Sequence, residues 1–255
     1  MNALQTSIDS RGVATVTLSR PPLNLLEPGL ITELREAFAR LGEDSGVRVA
    51  VLRAEGRGFS AGMDVKIFRD MDAAGGRALI ESLRDAIELV HRAPFPTIAA
   101  VHGACLGGSF ELALACDMRV AAEDAVFGLP EVRVGLPSVI HAALLPRLLA
   151  PAVAAELLLA GTTIDARAAL AMGLLNRVAP AEGLTAATEE LVQALLAAAP
   201  GAVRTQKQLM LRWREATLSE AISLSIDRFA SAFETGEPRE GAEAFLEKRV
   251  PRWQS

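Results

Sequence analysis

Hydrophobic and polar positions alternate in two different ways along this chain, and the change comes near residue 180. Before it, short apolar runs alternate with helical spacings; after it, only helical spacings occur. Residues 4–9 and 13–18 read as two strands around the Arg11-Gly12 turn, the second alternating at period two. Arg20-Pro21-Pro22-Leu23-Asn24 is a stiff extended connection. Leu30, Leu34, Ala37, Phe38 and Leu41 predict a helix over 29–41, and 47–52 is a continuous apolar run that predicts a strand covered on both faces. A glycine-rich loop spans 56–64. An amphipathic helix over 76–92 is stopped by Pro94 and Pro96. Strands are expected at 97–101 and 118–121, then an extended 125–127, a loop at 128–131 and short helices at 140–149, 152–160 and 166–172. Four longer helices close the chain at 185–196, 201–213, 218–233 and 237–248. Strands that alternate with helices imply an α/β fold with a parallel-rich sheet. The helical end is either a small domain or an arm that packs on a neighbouring subunit.

The stretch 101–117 organises the rest. It reads V-H-G-A-C-L-G-G-S-F-E-L-A-L-A-C-D: the end of a strand, a turn through Gly103, Gly107 and Gly108, then a helix that is apolar all round except for Glu111. A helix hydrophobic on every face is normally buried, and a buried carboxylate needs a reason. The first N–H groups of a helix lack intrahelical partners and, with the helix dipole, attract negative charge. Glycine at 107 and 108 lets a ligand approach that backbone. Glu111 lies about one turn further in, on the face of Gly108. The stretch is therefore either an oxyanion-binding N–H with a carboxylate beside it or a tight turn with a poorly placed acid. No Gly-Lys-Ser/Thr follows, so it is not a phosphate loop, and it lacks the dinucleotide fingerprint.

Composition narrows the field. The 255 residues suit one large domain, alone or with a small appendage, and a net charge of −5 argues against a general nucleic-acid or membrane-surface role. The two cysteines, Cys105 and Cys116, lack metal-ligand spacing and fit a reducing compartment. The N-terminal stretch has no signal-peptide core and no apolar run reaches membrane-spanning length, so a cytoplasmic enzyme is the expectation.

Three further places offer chemistry. The loop 59–64 puts glycine between a strand and the next segment, so the Met63 N–H is a candidate second oxyanion donor. Glu131 follows Leu129-Pro130 and is either a functional acid or a solvated one. His91 reads as exposed, His102 as a structural histidine after a buried strand. No histidine sits in a hydrolase or metal pattern, and Ser109 lacks the Gly-x-Ser-x-Gly elbow.

These motifs together resemble the enoyl-CoA hydratase/isomerase, or crotonase, superfamily. Residues 20–24 resemble its first CoA-proximal loop, 59–64 its S-A-G-x-D loop, and 104–117 its A-x-G-G-G-x-E-L-A-L-A-C-D turn. Residues 127–135 resemble F-x-x-P-E-x-x-x-G, 164–178 the later A-x-x-A-x-x-x-G-L-V-x-x-V segment, and 240–253 the E-G-x-x-A-F-x-E-K-R-x-P-x-W tail. The resemblance implies a crotonase-like spiral of ββα units over 1–198 with a C-terminal helical trimerisation region over 199–255, assembled as a homotrimer or a hexamer. It implies an acyl-CoA substrate whose thioester oxygen lies between the N–H groups of Met63 and Gly108. CoA and substrate contacts would come from Asn24 and Leu25, from Ala61, Met63, Asp64, Val65 and Lys66, and from Gly107 and Gly108. Coenzyme A is part of the substrate, so no cofactor and no metal are expected, nor a nucleic-acid or membrane partner.

Hydratases of the family carry glutamates at the positions of Glu111 and Glu131, and this chain has both. By that resemblance Glu111 activates water at Cβ and Glu131 delivers a proton to Cα. The chain departs from the pattern at Ser109 and Phe110, where the third glycine is lost, which points to an altered pocket wall. It departs again at Gly135-Leu136-Pro137-Ser138-Val139-Ile140-His141, which is more similar to branches acting on bulky or cyclic acyl-CoAs. There His141 is either a polar substrate contact or a surface histidine. Alternatives are an enoyl-CoA isomerase, a cyclic dienoyl-CoA hydratase, and a non-catalytic CoA-thioester or RNA binder. For the last, the basic stretch with Arg204, Lys207, Arg212 and Arg214 reads as a solvated face.

Overall fold

In a computed structural model, which describes residues 3–254, two sheets carry the chain. β1 (Leu4–Ile8) and β2 (Val13–Leu18) form an antiparallel hairpin; β2 then pairs in parallel with β3 (Val49–Ala54), and β3 with β4 (Thr97–Val101). The chain leaves for β5 (Ala104–Leu106), returns as β6 (Met118–Ala122) beside β4, crosses to β7 (Val126–Gly128) and β8 (Thr163–Asp165), and ends the main sheet with β9 (Arg177–Ala179). The orders are β1-β2-β3-β4-β6-β9 and β5-β7-β8. The helices are α1 (Pro28–Glu43), α2 (Ala73–His91), α3 (Gly108–Ala115), α4 (Leu145–Leu148), α5 (Pro151–Ala160), α6 (Ala166–Ala171), α7 (Leu184–Ala197), α8 (Pro200–Trp213), α9 (Leu218–Ala232) and α10 (Glu237–Glu247).

Period-two alternation sorts the strand side chains onto two covered faces. Ala50 and Leu52 of β3 join Val16, Leu18, Ala99 and Val101 in the main core, under α1, α2 and α3. Val49 and Val51 point the other way, with Val13, Ile98, Ala100 and Val120, and α7 covers them through Val192 and Leu196. The strand expected at 47–52 begins after Arg48, at Val49, and runs to Ala54; its apolar residues 49–52 are buried on both sides.

Several elements differ from the sequence reading. α2 begins at Ala73, not at residue 76, because the Asp72 side chain caps it by accepting from Gly75 N. The segment 140–149 is a 3₁₀ turn, Ile140–Leu144, followed by the single turn α4. β5, β8 and β9 span three residues each, too few for periodicity to reveal.

α3 is the buried helix anticipated, with all eight residues inside. Its last carbonyl groups need partners. Buried Arg119 supplies them, reaching the oxygens of Ala113 (3.3 Å) and Cys116 (2.7 Å) while its Nε donates to Leu174 O (2.7 Å). Both thiols are buried at its edges, Cys105 on β5 and Cys116 just past the helix, and burial pushes both up, Cys116 to about 12.

The C-terminal helices are tied to this core by cations. Lys207 is buried, pairs with Asp117 at 2.8 Å and donates to Phe95 O at 2.9 Å. Arg204 donates to Ser45 O and Val47 O. Buried Lys207 and half-buried Arg204 therefore fasten α8 to the core, which corrects the reading of the basic stretch as a solvated face. Large apolar side chains of α9 and α10 face outward: Ile222, Ile226, Phe229 (70 % exposed), Phe245 and Leu246. Among the described residues no helix is long and apolar enough to cross a membrane. Residues 1–2 and 255, the ends of the two expected regions, lie outside the described residues.

Candidate active site

Two glycine turns touch at the centre of the molecule. Gly62 has φ +86° and Gly107 φ +59°, a region L side chains rarely enter. A Cβ on Gly62 would lie 2.7 Å from Leu106 O, and one on Gly107 would lie 2.6 Å from Glu131 Oε1. Gly62 therefore requires glycine on conformation and on space, and Gly107 on conformation, since a Cβ there would meet the movable end of the Glu131 side chain. Ser109 fastens the two turns, its buried hydroxyl lying 2.8 Å from Ser60 O and 2.7 Å from Leu106 O. Leu26 N donates to Gly62 O and Ala61 N to Leu23 O, which joins the first loop to the same assembly.

The residues that follow the glycines are Met63 and Gly108. Gly108 opens α3, so its N–H has no intrahelical acceptor, and among the described residues neither N–H has a hydrogen-bond partner. Met63 and Gly108 both line a cavity of about 390 Å³ whose other walls are mostly apolar: Phe68, Met71, Leu79, Ile80 and Leu83 on one side, Leu136, Pro137 and Val139 on the other. Glu111 and Glu131 line the same cavity. The structure therefore brings both candidate oxyanion donors and both carboxylates to one space.

The two carboxylates are held differently. Glu111 is 3 % exposed, and its Oε2 accepts from the backbone N–H of His141 (2.8 Å) and Ala142 (3.1 Å). Burial, the larger influence, pushes its pKa up to about 8; the N–H groups oppose that rise and the nearby Glu131 charge adds to it. Glu131 sits on a 3₁₀ turn, Pro130–Val134, half-buried, with Oε2 accepting from Ser138 Oγ at 2.8 Å. It is therefore neither a loop acid nor fully solvated. Ser138 and the N–H groups of His141 and Ala142 were not singled out from the sequence. No spacing signal marks them, because each meets its carboxylate only through the fold.

Other expected contacts fare unevenly. Asn24 is fully buried: its Nδ2 donates to Glu55 O (2.6 Å) and Gly58 O (3.1 Å), and its Oδ1 accepts from Arg20 N. Its side chain shapes the loop and is not free to meet a ligand. Asp64 caps the 3₁₀ turn Val65–Phe68 by accepting from Lys66 N. Val65 and Lys66 are exposed and Leu25 and Ala61 half-buried, and none of the four lines the cavity. Ser109 and Phe110, expected to alter the pocket wall, do not line the cavity. Ser109 is the fastener described above, and Phe110 packs on Phe127 with ring centroids 5.5 Å apart. His141 is neither exposed nor a wall of the cavity; it is buried against α2. His91 is half-buried, with Nδ1 3.3 Å from Ala115 O. His102 is structural as expected, with Nε2 3.2 Å from Gly56 O.

Known proteins resemble this chain along nearly its whole length. The chain is 36 % identical over 256 residues to a probable enoyl-CoA hydratase of Bacillus subtilis, covering 99 % of each. It is 32 % identical to a crotonyl-CoA hydratase of Syntrophomonas wolfei, covering 93 % of this chain and 92 % of that one. The crystal structure of an enoyl-CoA hydratase from Mycobacterium smegmatis superposes with a TM-score of 0.96 at 34 % identity, over 100 % of both chains. The family model for enoyl-CoA hydratase/isomerase matches residues 9–255. With its crotonase-type fold and its matched length, the chain belongs to the enoyl-CoA hydratase/isomerase family.

Proposed function

We propose that this chain is an enoyl-CoA hydratase, a hydro-lyase that adds water reversibly to a 2-enoyl-CoA thioester. The observation that carries this reading is the meeting of two carboxylates and two unpartnered N–H groups in one apolar cavity. The thioester oxygen would accept from Met63 N–H and Gly108 N–H. As water oxygen bonds to Cβ, the double-bond electrons move through Cα toward that oxygen, and the two donors stabilise the enolate charge. Removing one such donor typically costs roughly 10²–10³ in rate. In the form with the shared proton on Glu131, Glu111 takes a proton from the attacking water and Glu131 delivers its own to Cα; dehydration starts with that proton on Glu111 and reverses both transfers. Both directions need the pair to share a single proton, because each step takes one and gives one.

The apolar walls suit a hydrocarbon acyl group, and the exposed Val65 and Lys66, between the cavity-lining Met63 and Phe68 in sequence, would meet the CoA portion. The outward apolar face of α9 and α10 supports assembly as a homotrimer or hexamer. Two buried, unpaired thiols fit a cytoplasmic setting.

The test is consumption of crotonyl-CoA, followed by ultraviolet loss of the conjugated enoyl thioester, in heavy-oxygen water. The expected result is label in the hydroxyl at Cβ and loss of activity in both Glu111→Gln and Glu131→Gln. Conversion of a 3-enoyl-CoA without uptake of label would replace this reading with the isomerase.

A further inference from the structure

Ile140 carries φ +42°, in the left-handed region. For a β-branched residue this is a true outlier, and such strain persists only where its surroundings hold it. On one side the N–H groups of the next two residues, His141 and Ala142, donate to Glu111 Oε2. On the other side the His141 ring, only 8 % exposed, is held by α2. Its Nε2 lies 3.0 Å from Glu88 Oε2, and its ring meets His91 edge-on with centroids 5.5 Å apart. Arg92 in turn contacts the other oxygen of Glu88. Three charged or titratable groups of α2 therefore face this ring: Glu88, His91 and Arg92.

The hydrogen bonding fixes the ring's state. Nδ1 is buried with no partner among the described residues. A neutral ring that donates Nε2–H to Glu88 leaves Nδ1 as a bare acceptor and no N–H unpaired. The ring does not line the acyl cavity, so it has no route to the reacting atoms.

We propose that His141, clamped by Glu88, is a positioning residue that holds the left-handed Ile140 turn so that two backbone N–H groups stay aimed at Glu111. The inference rests on the reading of Glu111 as a reacting carboxylate. The clamp acts through the backbone: it fixes where Glu111 sits and how far its charged form is stabilised.

The test compares His141→Ala, His141→Gln and Glu88→Gln in the full chain, with Glu111→Gln as reference. His141→Ala is expected to lower kcat for crotonyl-CoA hydration about 10–100-fold with KM within about threefold, as expected for a displaced reacting group. Loss of the N–H donors also moves the ionisation of Glu111 to higher pH. That shift is read twice: in the alkaline limb of kcat/KM, and in the carboxyl infrared difference spectrum against Glu111→Gln, which needs no turnover. His141→Gln, which keeps a donor where Nε2 lies, recovers kcat to within about threefold of the native enzyme. Glu88→Gln, with a neutral partner in place of a charged one, loses about 3–10-fold. If His141→Ala fails to fold, Glu88→Gln decides alone. An unmoved Glu111 ionisation, or a loss confined to KM, overturns the inference. Full activity in Glu111→Gln overturns the hydratase reading instead, and the infrared measurement still judges the clamp.

Discussion

Glu111 and Glu131 face one cavity from two unlike supports. Glu111 projects from a helix buried on every side, closed at its start by Gly107 and at its end by Arg119, and it is gripped by backbone N–H groups. Glu131 projects from a 3₁₀ turn at the cavity's edge and is held by one serine hydroxyl. Rigid burial makes the first carboxylate reluctant to ionise; partial exposure leaves the second in contact with water. Two identical side chains become a pair whose members differ, which is the condition for dividing acid and base work between them.

The largest effect expected is the loss of either carboxylate. Glu111→Gln and Glu131→Gln should each lower kcat about 10²–10⁴-fold, measured by enoyl absorbance. The two should part company in stability. A carboxyl raised to about 8 stabilises the fold only while protonated; its contribution is full below its ordinary value near 4.5 and is lost as pH rises to about 8. Glu111→Gln removes that liability and should raise Tm by a few degrees at pH 7, by more at pH 8 and not at all at pH 4, whereas Glu131→Gln should leave Tm nearly unchanged. Equal shifts in thermal melts would erase the distinction between the two supports.

Gly107→Ala comes next. Its Cβ would press on Glu131 Oε1 from the backbone that carries the Gly108 N–H, so it disturbs both supports at once. A drop in kcat of roughly 10–100-fold is expected, with a destabilisation of about 1–3 kcal/mol from the positive φ, read by denaturant unfolding. The pH profile is the third probe. The pair must share one proton, and on alkalinisation that proton leaves Glu111. Thus kcat/KM should fall above about pH 8, and in parallel for hydration and dehydration, because their ratio is an equilibrium constant that involves no proton. A kcat/KM that stays flat through pH 8–9 would refute the shared proton. Ser138→Ala is the mildest change. It strips Glu131 of its one hydroxyl partner and should cost about 3–10-fold in kcat with little change in Tm.

The same contrast explains what the sequence made legible. Glu111 was visible because it interrupts an otherwise apolar helix after a glycine pair, and α3 and β3 were visible because burial on all sides leaves continuous apolar runs. Glu131, by its residues alone, resembled any loop acid and gained meaning only from the family motif. Its partner Ser138, and the His141–Glu88 clamp, depend on segments that meet across 7 and 53 positions of chain. Lys207 was misread for a similar reason: a lysine on a polar helix looks solvated until the fold supplies Asp117. Of the second sheet only β7 was legible, as the extended 125–127; β5 and β8, three residues each, were too short to show a period.

The two native thiols have a practical corollary. Only a thiolate reacts readily with alkylating reagents, and both Cys105 and Cys116 are enclosed and held protonated. The unaltered chain is thus a chemically silent background. A single cysteine introduced at the exposed position of Val65, close in sequence to the cavity-lining Met63, would take up a fluorophore alone. It would report thioester arrival without either native cysteine having to be removed first.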